Sequence, residues 1–343
     1  MKLSFNIPTY NRAKFLSISL NKIVTQIEEL HLEEQIEINL SDNASTDNTK
    51  KVWDKCVTEH PNIKFTYKRN PKNLGPDMNF LSAMHMATGE YSLLWGDDDY
   101  LKKGGLKRIL ELVEYGKNND INILYSSTDV INNQGHHIRN KNFLRKDIQE
   151  FTVDFSNPNE ARAYFFLLKD TGGLLSFISS VIYKTSIIND IKYYDEFTGT
   201  NYAFLCYWWG WLANGKKLFY SNKPFIDEIE QYQPAYGFGV KRAMIDYKGF
   251  FMIANKLLKN TPFAKDFLCA FENTHPILLT RMLYLTEQKS FEKQIYPLMK
   301  ECGVEETDIK IFLESCSIKN IIKSLLYKIL PEYLIGFIKK LSK

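Results

Sequence analysis

The chain has 343 residues, of which 44% are hydrophobic and 14% aromatic, and a formal net charge of +4. These figures exclude a disordered chain, and the charge is too small to suggest a nucleic-acid-binding surface. Five scattered cysteines, none in a Cys-x-x-Cys pair, speak against a disulfide framework or a structural zinc site and fit a reducing compartment.

The first apolar run, residues 3–8, reads as a strand and stops at Pro8-Thr9-Tyr10-Asn11. It lacks the long apolar core of a signal peptide. Leu16, Leu20, Ile23, Val24 and Ile27 follow at helical spacing. A second strand, Ile36–Leu40, runs into Ser41-Asp42-Asn43-Ala44-Ser45-Thr46-Asp47, and a helix starts near Asp47. A third strand, Ile63–Tyr67, ends in Asn70-Pro71-Lys72-Asn73-Leu74-Gly75-Pro76. The next helix, through Asn79, Phe80, Ala83, Met84 and Ala87, stops at Gly89. The fourth strand begins at Tyr91 and runs straight into Gly96-Asp97-Asp98-Asp99. A helix over Leu106–Tyr115 and a fifth strand over Ile121–Tyr125 complete the alternation.

Repeated strand–helix alternation predicts a largely parallel sheet with helices on both faces. Ligands of such sheets bind beyond the carboxyl ends of the strands. Every polar cluster above lies at such an end, so all are expected in one crevice. Three adjacent carboxylates repel one another, and a divalent cation with oxygen ligands is a natural counter-charge. A solvated acidic turn capping the next helix is the alternative for Asp97–Asp99. For Asp42 the alternatives are contact with a nucleobase and a cap or Asx-turn role.

Beyond residue 128 the pattern changes. Val130–Ile138 reads as a hairpin turning at Gly135, with the His136-His137 pair as part of it. Asn159–Asp170 reads as a helix, Leu174–Tyr183 as a buried strand or mixed segment, Asn201–Asn214 as a buried aromatic helix, and Lys216–Tyr220 as a last strand. Four helical candidates follow: Tyr247–Leu258, Phe263–Glu272, Ile277–Thr286 and Glu305–Glu314. Residues 318–343 carry an apolar helical stripe bordered by six lysines. Such a helix suits an anionic membrane surface, or packs on the domain with its lysines in water. The most apolar windows, Leu174–Tyr183 and Ala203–Ala213, are too short to span a bilayer. The expectation is a cytoplasmic protein, soluble or peripheral on the inner membrane face.

Pro8-Thr9-Tyr10-Asn11-Arg12, Ser41–Asp47, Asn70-x-x-Asn73-Leu74-Gly75 and Gly96-Asp97-Asp98-Asp99, in this order on a βα scaffold, closely resemble the family-2 glycosyltransferases. The Gly-Asp-Asp-Asp variant is most similar to the abequosyltransferase-type members that build bacterial surface polysaccharide. The resemblance covers about residues 1–225 and implies a GT-A fold there; residues 226–343 read from their own pattern as a helical region. It implies inverting transfer of a sugar from a nucleoside-diphosphate donor, UDP favoured, to a glycan or lipid-linked glycan. It implies that Pro8, Thr9, Tyr10 and Asn11 cradle the nucleotide, with Asn73 and Gly75 beside it. Asp42 then meets the base, while Asn43 and Asp47 hold the loop. In the acidic triplet, Asp97 suits ribose and Asp99 a Mn²⁺ or Mg²⁺ ion, with Asp98 able to take either role.

The chain departs from the family where the proton acceptor is expected. Thr198-Gly199-Thr200-Asn201-Tyr202 offers no titratable base. Asp195 and Glu196 are the nearest carboxylates and are taken as the catalytic pair, with Asp129 a further candidate. A sugar nucleotidyltransferase would need a glycine-rich phosphate loop, which Pro8–Asn11 lacks. A nucleotide-sugar-binding protein without catalysis is the other alternative.

Overall fold

A computed structural model of the chain describes residues 1–145, 147–230, 240–274, 293–301, 305–307 and 310. It divides into one unit of Met1–Tyr232 with Leu257–His275, and a second of Gln233–Lys256 with Pro276–Lys343. The first unit opens with β1 (Leu3–Thr9), α1 (Ala13–Glu29), β2 (Ile36–Asp42), α2 (Thr49–Glu59), β3 (Lys64–Arg69), α3 (Pro76–Met84) and β4 (Tyr91–Leu94). Next come β5 (Tyr100–Leu101), α4 (Gly105–Asn118), β6 (Ile123–Ser126), β7 (Thr128–Ile131), β8 (His137–Lys141), β9 (Glu150–Asp154) and α5 (Pro158–Leu167). After these lie β10 (Val181–Lys184), α6 (Ile187–Asp190), α7 (Leu205–Ala213), β11 (Lys217–Ser221) and β12 (Ile226–Ile229).

An eight-stranded sheet runs in the order β3-β2-β1-β4-β10-β6-β11-β9. The neighbours β3, β2, β1 and β4 are parallel, as are β6 and β11. The expected parallel sheet is therefore present, with β10 inserted antiparallel between β4 and β6 and β9 antiparallel on the edge. A smaller sheet, β5-β12-β7-β8, contains the expected hairpin, with Gly135 at φ 81° in its turn.

The burial of β1 and β2 is complete, as a strand covered on both faces requires. Leu3, Phe5 and Ile7 share a core with apolar residues of α1, α2 and α4. Successive side chains of a strand point to opposite faces, so Ser4 and Asn6 face the other side, where α3 packs against β1 and β2. Phe80 of α3 meets Phe204, just before α7, at 5.6 Å. The helix α7 is buried on every side that carries a large residue, which its Tyr-Trp-Trp-Gly-Trp run demands. Trp209 sits against Phe165 and Phe267, and its indole N–H donates to the Leu174 carbonyl at 3.0 Å.

A charge is embedded in this sheet. Glu37 is fully buried on β2 and accepts from Ser4 Oγ (2.7 Å), Thr88 N (2.6 Å) and Thr88 Oγ1 (2.8 Å), with Lys64 Nζ at 2.7 Å. Burial pushes its pKa up, but Lys64, Ser4 and Thr88 together outweigh burial and bring it down to about 2. A depressed carboxyl stabilises the fold above its unfolded pKa and loses that contribution as pH falls through the folded value. Glu37→Gln is expected to cost about 1–3 kcal/mol at neutral pH, because donors are left facing an amide. The difference between variant and parent should shrink as pH falls from about 4.5 toward about 2. Melting curves across that range check it, and a pH-independent difference would refute the ionic role.

In the second unit, α8 (Val240–Met252) leads into a π-turn, and residues 293–301 are helical. The helix α9 (Ala264–Thr274) belongs to the first unit and packs on α5. The expected helices at 277–286 and 318–343, and most of 305–314, lie outside the described residues. Among the described residues no helix is long and apolar enough to cross a membrane.

Candidate active site

The carboxyl ends of β1, β2, β3 and β4 bring the four motifs together. Thr9, the last residue of β1, donates its hydroxyl to Asp97 Oδ2 at 2.6 Å. Its carbonyl accepts from Asn43 N at 2.9 Å, and Asp42 O accepts from Asn70 N at 2.8 Å. Parallel register places Thr9 opposite Asp42 and Asp42 opposite Arg69. The three strand ends are thus level, and their loops start from one line.

Asn11 adopts a left-handed conformation, φ 54°, which asparagine tolerates better than most residues. There its side-chain oxygen accepts from Thr46 N at 2.7 Å, while its own N–H donates to Ser45 Oγ at 2.9 Å. Asp47 accepts from Ala13 N and Thr49 N, both at 3.0 Å, at the starts of α1 and α2. One carboxylate therefore satisfies orphan donors of two helices, as expected for a residue that holds the loop. Tyr10 is exposed, and Pro8 is buried within β1.

Asp42 is fully buried. Oδ1 accepts from Ser45 N at 2.8 Å, and Oδ2 accepts from Tyr67 OH at 2.6 Å and Arg69 NH1 at 2.8 Å. The Ser45 contact is the local turn of the cap or Asx-turn alternative drawn from the sequence. Tyr67 and Arg69 carried no signal, because each reads as an ordinary residue of an exposed edge strand.

A set of neutral amides joins the second and third loops. Asn43 donates to Asn73 Oδ1 at 2.9 Å and to Gly75 O at 3.1 Å, and accepts from Leu74 N and Asn70 Nδ2. Asn79, on α3, accepts from Ser41 Oγ and Asn70 Nδ2 and donates to the Thr9 carbonyl. Gly75 precedes α3 at φ 83°, a left-handed-side conformation that favours glycine. Asn79 received no role from the sequence; its signal was a polar residue at a helix position facing the sheet.

The triplet divides its duties. Asp97 and Asp99 are buried, while the Asp98 side chain keeps 21% of its surface open. Asp99 turns inward, and its Oδ2 accepts from Ser179 Oγ at 2.5 Å. The same hydroxyl accepts from Gly96 N at 2.7 Å. A Cβ on Gly96 would stand 2.5 Å from Asp99 Oδ2, so glycine is needed for this fold-back. Asp99, to which the motif gives the metal, thus has one oxygen committed to Ser179. Ser179 itself was not foreseen; nothing in its sequence surroundings marks it.

Arg12 had no assigned role either. Its NH1 hydrogen-bonds to Asp98 Oδ2 and lies 3.8 Å from Asp97 Oδ1. Two carboxylates therefore converge on one positive atom. Burial first, and the Asp98 charge second, push Asp97 up to about 7 despite Arg12 and Thr9. Burial and Asp98 also push Asp99 well up, against the Ser179 hydrogen bond. Among the described residues no group of three His, Cys, Asp or Glu side chains could hold a metal. A hard cation that also binds a diphosphate needs only one or two protein carboxylates. Asp98 and Asp97 meet that requirement: both are oxygen donors, and they already share a cationic nitrogen.

Asp195 and Glu196 lie exposed on a short 3-10 turn, and Phe197 beneath them is buried. The segment that follows is anchored by an unforeseen residue. Asp77, buried in the first turn of α3, accepts from Gly199 N (2.7 Å), Asn201 N (2.9 Å) and Ala203 N (3.0 Å). Asp129 sits in the smaller sheet, buried, with Lys102 and Asn140 bound to its carboxylate and His137 at 3.5 Å.

The Glycosyl transferase family 2 model matches residues 4–171. Abequosyltransferase RfbV of Salmonella typhimurium is 30% identical over 305 residues, which is 86% of this chain and 87% of that protein. GalNAc(5)-diNAcBac-PP-undecaprenol beta-1,3-glucosyltransferase of Campylobacter jejuni is 27% identical over 267 residues, 77% of each chain. The crystal structure of S. aureus TarS in complex with UDP-GlcNAc superimposes with a TM-score of 0.63. It is 17% identical, and the match covers 94% of this chain and 88% of that one.

Proposed function

Because the chain belongs to glycosyl transferase family 2, an inverting family, we propose that it moves a sugar from a nucleoside-diphosphate donor, UDP-linked by preference, to a glycan or lipid-linked glycan in bacterial surface polysaccharide synthesis. The observation that carries this reading is the convergence of Thr9, Asp42, Asp97 and Asp98 at level strand ends. The name of the Campylobacter jejuni relative, a PP-undecaprenol glucosyltransferase, supports a lipid-linked acceptor.

The proposed roles join what the family resemblance implies to the contacts described above. Pro8, Thr9, Tyr10 and Asn11 line the nucleotide, and Asn43, Asn73 and Gly75 shape the facing wall. Tyr67 and Arg69 orient Asp42 to accept a ring N–H of the base. Thr9 fixes one oxygen of Asp97, which leaves the other for a ribose hydroxyl. Asp98, the more open carboxylate, is the metal ligand in this reading, with Asp97 beside it and Asp99 holding the turn. A Mn²⁺ or Mg²⁺ ion bound there supplies Lewis acidity that neutralises the departing diphosphate. Asp195 and Glu196 are assigned the acceptor proton, which inverting transfer requires a base to remove. Residues 318–343 would bring the enzyme to the inner membrane face, where a lipid-linked acceptor resides.

Binding without transfer is the second reading, favoured by the lack of a carboxylate or histidine at Thr198–Tyr202. One experiment separates the two. UDP, GDP, CDP and dTDP with Mn²⁺ are screened for a rise in melting temperature, and the best base then defines the donors tried in transfer. A ligand of the native state must raise it. The double variant Asp195→Asn, Glu196→Gln should keep the shift and lose about 10²-fold or more in transfer. Unchanged transfer removes the pair from the mechanism, and a shift with no transfer by the parent protein favours the binding reading.

A further inference from the structure

Arg12 occupies an unusual place. It follows the nucleotide loop, and its backbone is fixed: it is the residue before α1, its carbonyl accepts from Leu16 N, and the next residue is held by Asp47. Its side chain is not buried but 27% exposed, with the guanidinium on Asp98 Oδ2, near Asp97 Oδ1, and 5.6 Å from the centre of the Phe15 ring. The guanidinium thus touches the carboxylates and the ring in one conformation.

The oxygen that Arg12 holds is one that a divalent cation would need. A cation draws on carboxylate lone pairs directly, and two positive centres on one oxygen repel each other. Cation binding at Asp98 and the Arg12 ion pair therefore oppose one another. A guanidinium released at this point faces the crevice that receives the diphosphate, and its planar fork matches two phosphate oxygens.

We propose that Arg12 is an exchangeable counter-ion, which neutralises Asp97 and Asp98 in the empty site, yields them to the divalent cation, and then binds the donor diphosphate. This rests on the nucleoside-diphosphate reading above. It makes Arg12 a positioning residue with two partners in turn, and it links cation binding to diphosphate binding.

Calorimetry on the full chain tests it, with Mn²⁺ alone, then with UDP, CDP, GDP and dTDP at saturating Mn²⁺, and with the corresponding nucleosides. Arg12→Met keeps the stem and removes the charge; Arg12→Lys keeps a charge without the fork. Arg12→Met should bind Mn²⁺ alone about 5-fold more tightly, since the competitor is gone. It should bind the preferred nucleoside diphosphate about 10- to 50-fold more weakly, with nucleoside affinity unchanged. Arg12→Lys should recover part of the diphosphate affinity. Equal or weaker Mn²⁺ binding by Arg12→Met overturns the counter-ion role. Unchanged diphosphate affinity overturns the exchange. If the parent protein binds neither Mn²⁺ nor any of the four diphosphates, the functional reading fails first, and this inference with it.

Discussion

Asp98→Ala is expected to lower donor turnover by about 10³-fold and leave the melting temperature unchanged or slightly higher. The loss of rate corresponds to removing one strong electrostatic contact from the departing diphosphate, about 3–4 kcal/mol of barrier. The retained stability follows from what Asp98 does in the folded protein. Its charge is the second cause, after burial, of the raised pKa of both Asp97 and Asp99. Removing it relieves two repulsions, and the ion pair with Arg12 that goes with it is partly exposed; such pairs contribute little. Asp99→Ala should behave differently. It leaves Ser179 Oγ, the hydroxyl that accepts from Gly96 N, without its own buried acceptor, so it should melt at a lower temperature. Steady-state transfer and melting curves on the two variants decide between them. If Asp99→Ala is the inactive but stable one, the metal belongs to Asp99, as the motif alone suggested.

A second large effect is expected at Asp77→Ala, and here stability and transfer fall together. The Asp77 carboxylate takes three backbone N–H groups from a five-residue segment. Two residues of that segment, Gly199 and Asn201, have positive φ, at 88° and 61°. Their conformation is held from outside, and Asp77 is the holder. Buried N–H groups left without an acceptor cost about 1–3 kcal/mol each. Partial access of water should reduce the total to about 3 kcal/mol, or about 6–12 °C in melting temperature. Acceptor-dependent transfer should fall about 10²-fold, because the segment leads from Asp195 and Glu196 into α7. Nucleotide affinity should change little, since the loops around Asn43, Asn73 and Asn79 are tied together separately. Asp77→Asn keeps one accepting oxygen and should lie between. A variant that keeps transfer while losing stability would show that the segment plays no part in the reaction.

The strands most plainly legible in the sequence are among those buried on both faces. In β1, β2 and β4, continuous apolar runs ending in polar motifs left little choice of element. β10 was not legible as an antiparallel insertion, because 174–183 reads only as a mostly apolar run and direction leaves no mark on composition. β5 and β12 are too short to show a period, and β9, Glu-Phe-Thr-Val-Asp, is an edge strand with polar ends. The motifs located the candidate site, because strand ends level with one another in a parallel sheet must converge. They could not say which way each Asp of the triplet points. That depends on Ser179 and Gly96, and a single residue step in a turn redirects a side chain. Arg12 was visible as part of a motif, but its role depends on a distance to Asp98 that no spacing encodes.

The antiparallel insertion of β10 also bears on the order in which the protein folds. All four motifs lie before residue 100, and the family match ends at 171. Ser179, which sets the Asp99 carboxylate and the Gly96 turn, comes later, on the approach to β10. Until β10 docks, β4 is an edge strand with an unpaired ladder, and the triplet lacks one of its fixed points. Contacts separated by about 80 residues form after local ones, because loop closure must come first. The first hundred residues emerging from a ribosome therefore contain all four motifs of the candidate site without its finished geometry. The acidic turn acquires its shape only when the second half of the sheet closes against the first.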